Sequence, residues 1–66
     1  MYQLTAILEN RAHAKWIDAR DDADAMMEAI SYIMDSAHKD QLGPWAKGRI
    51  ELVDGFGSVV ETMEAK

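Results

Sequence analysis

The sequence predicts an α+β domain, built as a small antiparallel sheet with one amphipathic helix across one face. Apolar and polar residues alternate over the first eight positions, which is typical of a strand. Apolar residues recur at spacings of three and four between positions 23 and 37, as in a helix with one buried face. An Asp-Gly pair between two short apolar segments indicates a second hairpin. The predicted order is ββαββ, or βαββ if the second strand is too short to count.

The N-terminal part is predicted to form a hairpin. Tyr2, Leu4, Ala6 and Leu8 share one face of the first strand, and alternate residues share the other. Residues 10–13 are compatible with a turn, and a second strand is predicted at about 14–19, where Trp16 is the largest apolar residue.

The helix is predicted to start at the two aspartates 21 and 22 and to end near the cations at 38 and 39. Either aspartate can cap the free N–H groups of the first turn, and both signs of charge suit the helix dipole. Three methionines of this segment are predicted to be core residues rather than an adaptable binding surface. The apolar positions of the helix are Ala23, Met26, Met27, Ile30, Ile33, Met34 and Ala37.

The C-terminal part is predicted to be a loop followed by two strands. Gly43-Pro44 breaks any helix, so 40–48 is expected to be a loop with Gly43 extended. Trp45 in this loop has two interpretations, closing the core or contacting a partner. Strands are predicted at 49–53 and 58–63, joined by a turn at 54–57.

Composition favours a small acidic protein that associates with itself. The 66 residues are expected to form a single domain, 1–66, with a formal charge of −5 and no cysteine. A core this small is marginal without disulfides or a metal, so we expect a homodimer. The negative charge disfavours direct binding to nucleic acid and to anionic membranes. Neither a signal peptide nor a membrane span is indicated, so we expect a cytoplasmic protein.

Catalytic and cofactor motifs are missing from the sequence. There is no glycine-rich phosphate loop, and the serines have no base at a recognisable spacing. His13 and His38, with Asp35 or Asp40, lack the regular ligand spacing of a metal site. We therefore expect a protein without enzymatic activity, cofactor or metal.

The polar face of the helix carries the most specific signal for function. Four acidic residues recur at steps of three, four and seven and form one stripe about 20 Å long, with further acids near the helix start. The stripe has two interpretations, an ordinary solvated face or a row of carboxylates presented to the basic groove of a DNA-binding protein. The candidate partner-binding residues are Asp18, Asp21, Asp22, Asp24, Glu28 and Asp35.

The segments TAILENR at 5–11 and AKWIDAR at 14–20, leading into this acidic helix, resemble the small acidic early proteins of lytic bacteriophages. Within that group the chain is most similar to phage inhibitors of the bacterial nucleoid protein HU. The resemblance covers most of the chain. It implies a dimer that blocks the DNA-binding surface of HU in the host cytoplasm. The alternative function is a small regulatory or assembly adaptor that binds through a sheet edge or the Trp45 loop.

Overall fold

The computed structural model describes residues 1–64 and consists of a four-stranded antiparallel sheet, one long helix and one short helix. The predicted α+β class and the ββαββ order of the main elements are confirmed. The strand order in the sheet is β2-β1-β3-β4. The elements are β1 (Tyr2–Leu8), β2 (Arg11–Ile17), α1 (Asp22–Lys39), α2 (Pro44–Lys47), β3 (Arg49–Val53) and β4 (Val59–Glu64).

The two central strands supply most of the buried side chains. In the β1–β3 pairing Leu4 lies opposite Leu52 and Ala6 lies opposite Ile50, so all four share the face covered by α1. None of the four is more than 2% exposed. The alternation predicted for the first strand is confirmed by these positions. Burying large aliphatic side chains on one face of the central strands is what orders the sheet.

The N-terminal hairpin is tighter than predicted. Leu8 pairs with Arg11, so its loop contains only Glu9 and Asn10, and Glu9 adopts a φ of 56°. The predicted second strand is confirmed, but its predicted limits of about 14–19 and the turn predicted at 10–13 are wrong, since β2 occupies Arg11–Ile17. Side chains of β2 are mostly exposed, so backbone pairing with β1 decides the strand limits and turn propensity does not.

Helix α1 begins and ends where the sequence predicts. The side chain of Asp21 accepts a hydrogen bond from the Asp24 N–H at 2.9 Å, which is an N-cap contact. At the other end the Asp40 N–H donates to the Ser36 carbonyl at 2.9 Å. The helix therefore spans 18 residues.

The buried face of α1 differs from the predicted one. Ala25 and Ala29 are fully buried, whereas Met27 is 71% exposed and Met34 is 68% exposed. The prediction that these two methionines belong to the core is wrong, although Met26 does pack against it. Large side chains from the sheet fill the space below the helix, so small alanines allow the helix to approach closely.

The predicted loop at 40–48 contains the one-turn helix α2. Proline is well suited to the first helical position because its missing N–H has no intrahelical partner there. Gly43 is extended, as predicted, with φ −83° and ψ 173°. Trp45 is half-buried and packs edge-on against Tyr32, with ring centroids 5.1 Å apart. Of the two interpretations of Trp45, this contact favours closing the core.

The second hairpin has a five-residue loop between β3 and β4, where Asp54 organises the turn. Its carboxylate accepts hydrogen bonds from the Phe56 and Ser58 N–H groups, each at 2.9 Å. Gly57 has a φ of +85°, a conformation that glycine adopts without strain. The predicted turn and third strand are confirmed, and β4 begins one residue later than predicted.

Candidate interaction surface

Helix α1 presents three different faces. Successive residues of an α-helix are turned by about 100°, so residues three or four apart share a face. The core face packs on the sheet and contains Ala25, Ala29, Tyr32 and Ile33. The acidic flank lies to one side and contains Asp24, Glu28, Ser31 and Asp35. The outer apolar stripe faces away from the sheet and contains Ala23, Met27, Ile30 and Met34.

The carboxylates at the start of the helix have local roles. Asp18 is exposed in the segment before α1, and Asp21 caps the helix. Asp22 accepts a hydrogen bond from the Tyr2 hydroxyl at 2.7 Å. This hydrogen bond, together with desolvation and the nearby negative charges, raises the pKa of Tyr2 to about 12. Asp21 and Asp22 therefore stabilise the junction between the first hairpin and the helix.

The acidic flank is partly paired within the chain. Asp24 accepts a hydrogen bond from the Arg20 N–H at 3.1 Å, and its carboxylate lies 3.9 Å from the Arg20 Nε. Asp35 lies 3.1 Å from the Lys39 Nζ. Two acids of the flank are therefore paired within the chain. Ion pairs this exposed contribute roughly 0 to 1 kcal/mol and can exchange for contacts with a partner.

Glu28 is the acid of the flank with no such contact. The ion pairs and side-chain hydrogen bonds among residues 1–64 leave it without a partner. It lies in the middle of α1, where neither helix end affects its charge. Glu28 is thus the carboxylate most available to another molecule.

A groove between α1 and the edge strand β2 collects part of the predicted site. Its volume is about 400 Å³, and Asp18, Glu28 and Asp35 contribute to its walls. Its other lining residues are Lys15, Trp16, Ile17, Ser31 and Tyr32. The remaining predicted acids, Asp21, Asp22 and Asp24, do not line it. The structure therefore divides the predicted site into a groove set of three acids and a helix-start set of three acids.

Two features of the groove were missed in the sequence. The Lys15 Nζ lies 4.8 Å above the Tyr32 ring, which places one cation among the three acids. Trp16 also lines the groove, but it pairs with Gln3, so its 63% exposed side chain belongs to the open face of the sheet at the same edge. Register also places Arg11 and His13 on the same side of β2 as Lys15, since they pair with Leu8 and Ala6. The alternation of Arg11, His13 and Lys15 was a signal for this basic strip, but its use required the correct limits of β2.

The arrangement favours recognition of a positively charged side chain. Carboxylates line a recess at a sheet edge that also carries an exposed indole, a combination suited to contacts with lysine or arginine from a protein. Within residues 1–64 no group of three or more His, Cys, Asp or Glu side chains is arranged to hold a metal ion. No helix in that part of the chain is long and apolar enough to cross a membrane.

Comparison of the chain with protein families, curated proteins and solved structures gives no match.

Proposed function

We propose that this protein is a small acidic inhibitor that binds a basic DNA-binding protein and occupies the surface that would hold DNA. The observation that carries the proposal is the groove lined by Asp18, Glu28 and Asp35 along the edge strand β2, which also carries the exposed Trp16. The function is exerted by binding and requires no catalysis.

The charge distribution supports this kind of partner. The chain carries a net charge of −5, which accelerates association with a basic protein at low ionic strength. Glu28 and Asp35 lie seven residues apart on α1, about 10 Å along the helix axis. Carboxylates on one flank of a helix can engage cations of a groove that would otherwise contact the phosphates of DNA.

Trp16 supplies an apolar contact surface, which the charged residues alone do not. Exposed carboxylates at the rim of an interface change association rates more than final affinity. A large aromatic side chain that becomes buried on binding is a typical energetic anchor. We therefore assign the steering to the groove acids and the anchoring contact to Trp16, which lies on the open face of the same edge strand, so that a partner reaches both by wrapping around β2. The bacterial nucleoid protein HU is proposed as partner on the resemblance to phage inhibitors alone.

The experiment compares two double variants that lose the same charge. Glu28→Gln with Asp35→Asn removes two groove acids, whereas Glu61→Gln with Glu64→Gln removes two exposed acids from β4. Asp24 is left unchanged because its carboxylate accepts the Arg20 N–H. Affinity for purified HU is measured by calorimetry at low and high salt, with circular dichroism to verify folding.

The groove variant should bind roughly 2- to 30-fold more weakly, as expected for two rim charges of 0.2 to 1 kcal/mol each. The β4 variant should bind almost like the parent protein, and a DNA duplex should compete with the parent protein for HU. Equal losses in both variants would show that only net charge matters. Binding that is insensitive to salt and to the groove variant would instead favour the adaptor function through a sheet edge.

A further inference from the structure

The outer apolar stripe of α1 has no covering element in the described part of the chain. Met27 and Met34 are more than two-thirds exposed, and Ile30 between them is 44% exposed. Steps of four, three and four separate the residues of the stripe, which are Ala23, Met27, Ile30 and Met34. A further step of three leads to the half-buried Ala37. This is the spacing of the seam positions in two-stranded helical packing, where each side chain inserts between side chains of a facing helix.

The size of the core makes an exposed stripe costly. Among residues 1–64 only seven hydrophobic residues are buried, three of them alanines, and only three large side chains are fully buried. The larger side chains of the stripe therefore lie outside this small core, although their burial would enlarge it. Covering the stripe with a second apolar helix removes this surface from water.

The open face of the sheet is a weaker candidate for self-association. It includes the exposed Trp16 and Val59, but Gln3 lies with Val53 in the row between them, and Thr5 and Glu51 lie in the next row. Polar side chains therefore interrupt the apolar ones on that face. The stripe on α1 is continuous, so it is the surface better suited to apolar association.

The charges at the two ends of α1 indicate what covers the stripe and in which direction it runs. The start of α1 carries Asp21, Asp22 and Asp24, and its end carries His38 and Lys39. Two copies of α1 running antiparallel place the cationic end of each beside the acidic start of the other, and the helix dipoles also oppose. A parallel pair would bring the acidic starts together.

We propose that a second copy of this chain covers the outer apolar stripe, so that the two α1 helices pack antiparallel about a two-fold axis at Ile30. In this register Ile30 meets its own equivalent, Met27 meets Met34 of the second copy, and Ala23 meets Ala37 of the second copy. A two-fold axis that relates antiparallel helices is perpendicular to both, so a given flank of each helix lies on the same side of the pair. The two acidic flanks therefore form one surface. The role of this surface in binding a basic partner rests on the proposed function.

The first test places a charge at the axis. Ile30→Glu would bury two carboxylates against each other, which should weaken association by about 100-fold or more. Ile30→Leu keeps the contact apolar and should leave association nearly unchanged. Sedimentation equilibrium should give twice 7.4 kDa for the parent and Ile30→Leu, and 7.4 kDa for Ile30→Glu. A parent protein that is monomeric at high micromolar concentration, or an Ile30→Glu variant that stays dimeric, would overturn the proposal.

The second test fixes the direction, since the chain has no cysteine of its own. Ile30→Cys should cross-link to itself rapidly under mild oxidation. Met27→Cys alone should not, because its copies would be about 13 Å apart, beyond the roughly 7 Å Cα separation that a disulfide allows. A mixture of Met27→Cys and Met34→Cys chains should cross-link. Phe56→Cys, at the exposed tip of the second hairpin, measures random collisions.

These outcomes are separate from those of the HU experiment. Rapid self-linking of Met27→Cys would indicate parallel helices and contradict the proposal even if HU binds. Conversely, an antiparallel dimer that does not bind HU would keep this interface and reject the proposed partner.

Discussion

Replacing Ala29 with leucine tests how α1 is seated on the sheet. Ala29 is fully buried in one cluster with Leu4, Ile50 and Leu52. Leucine adds three carbon atoms to a site that is already filled, and overpacking of this kind typically costs 1 to 3 kcal/mol. A domain of this length has a total stability of about 3 to 10 kcal/mol. Ala29→Leu should therefore lose a substantial part of it, lowering Tm by about 4 to 8 °C for each kcal/mol lost.

The matched control is Ala23→Leu, the same chemical change at an exposed position of the same helix. It should leave the free energy of unfolding unchanged or slightly raised, because the added side chain extends the outer apolar stripe. Urea unfolding followed by circular dichroism, at one protein concentration for all variants, measures both. The reasoning is refuted if Ala29→Leu is as stable as the parent while Ala23→Leu is destabilised. That result would mean that α1 buries its methionine face, as its apolar spacing first indicated.

Two further predictions concern individual hydrogen bonds. The pKa of Tyr2 is about 12 in the folded protein, against 10.0 for an ordinary tyrosine. The stability that the neutral phenol contributes is therefore complete below pH 10 and is lost as the pH rises towards 12. Asp22→Asn should lower this pKa and reduce that loss, as measured by NMR titration and unfolding at alkaline pH; an unchanged Tyr2 titration would contradict the assignment. Asp54→Ala should cost about 1 to 2 kcal/mol, since the Phe56 and Ser58 N–H groups lose their acceptor. Asp54→Asn keeps an acceptor and should cost less in urea unfolding, so equal losses in the two variants would exclude the hydrogen bonds as the cause.

The elements that the sequence predicts well are those with local chemical causes. Asp21 caps α1 because a carboxylate at that position can accept an N–H of the first turn. Asp54 and Gly57 specify the second turn in the same local way. Leu4 and Ala6 are buried and alternate with the less buried Gln3, Thr5 and Ile7, as expected for a strand with one face in the core.

The errors arise where tertiary packing decides. Apolar residues occur around most of α1, so spacing alone allows two buried faces, one rich in methionine and one centred on Ala25 and Ala29. Hydrophobicity favours the larger side chains, but the bulk of Leu52 and Ile50 below the helix favours the smaller ones. The limits of β2 depend likewise on its partner β1, whose full length it follows.

The sequence predicts the acids of the candidate site but not the groove in which three of them lie. Helical spacing correctly groups Glu28 and Asp35 on one flank, because both positions belong to a single element. The groove also needs Lys15, and its place on the helix side of β2 depends on strand register. Register is set by the pairing of β2 with β1, which the spacing of residues within α1 does not specify.

The six predicted acids differ in how far the fold itself accounts for them. Asp21 caps the helix, Asp22 binds the Tyr2 hydroxyl, and Asp24 accepts the Arg20 N–H, so each has a structural reason to be present.

Asp35 has a weaker structural reason than these. It lies in the C-terminal half of α1, four residues before the last helical residue, where the helix dipole does not stabilise a carboxylate. Its ion pair with Lys39 is exposed and contributes little to stability. Glu28 in mid-helix has no partner in the described chain. An acid that stability does not require is better explained by a contact outside the chain, and these two share one groove with the exposed Asp18. The binding role is therefore best assigned to the groove set, with the helix-start set holding the fold that presents it.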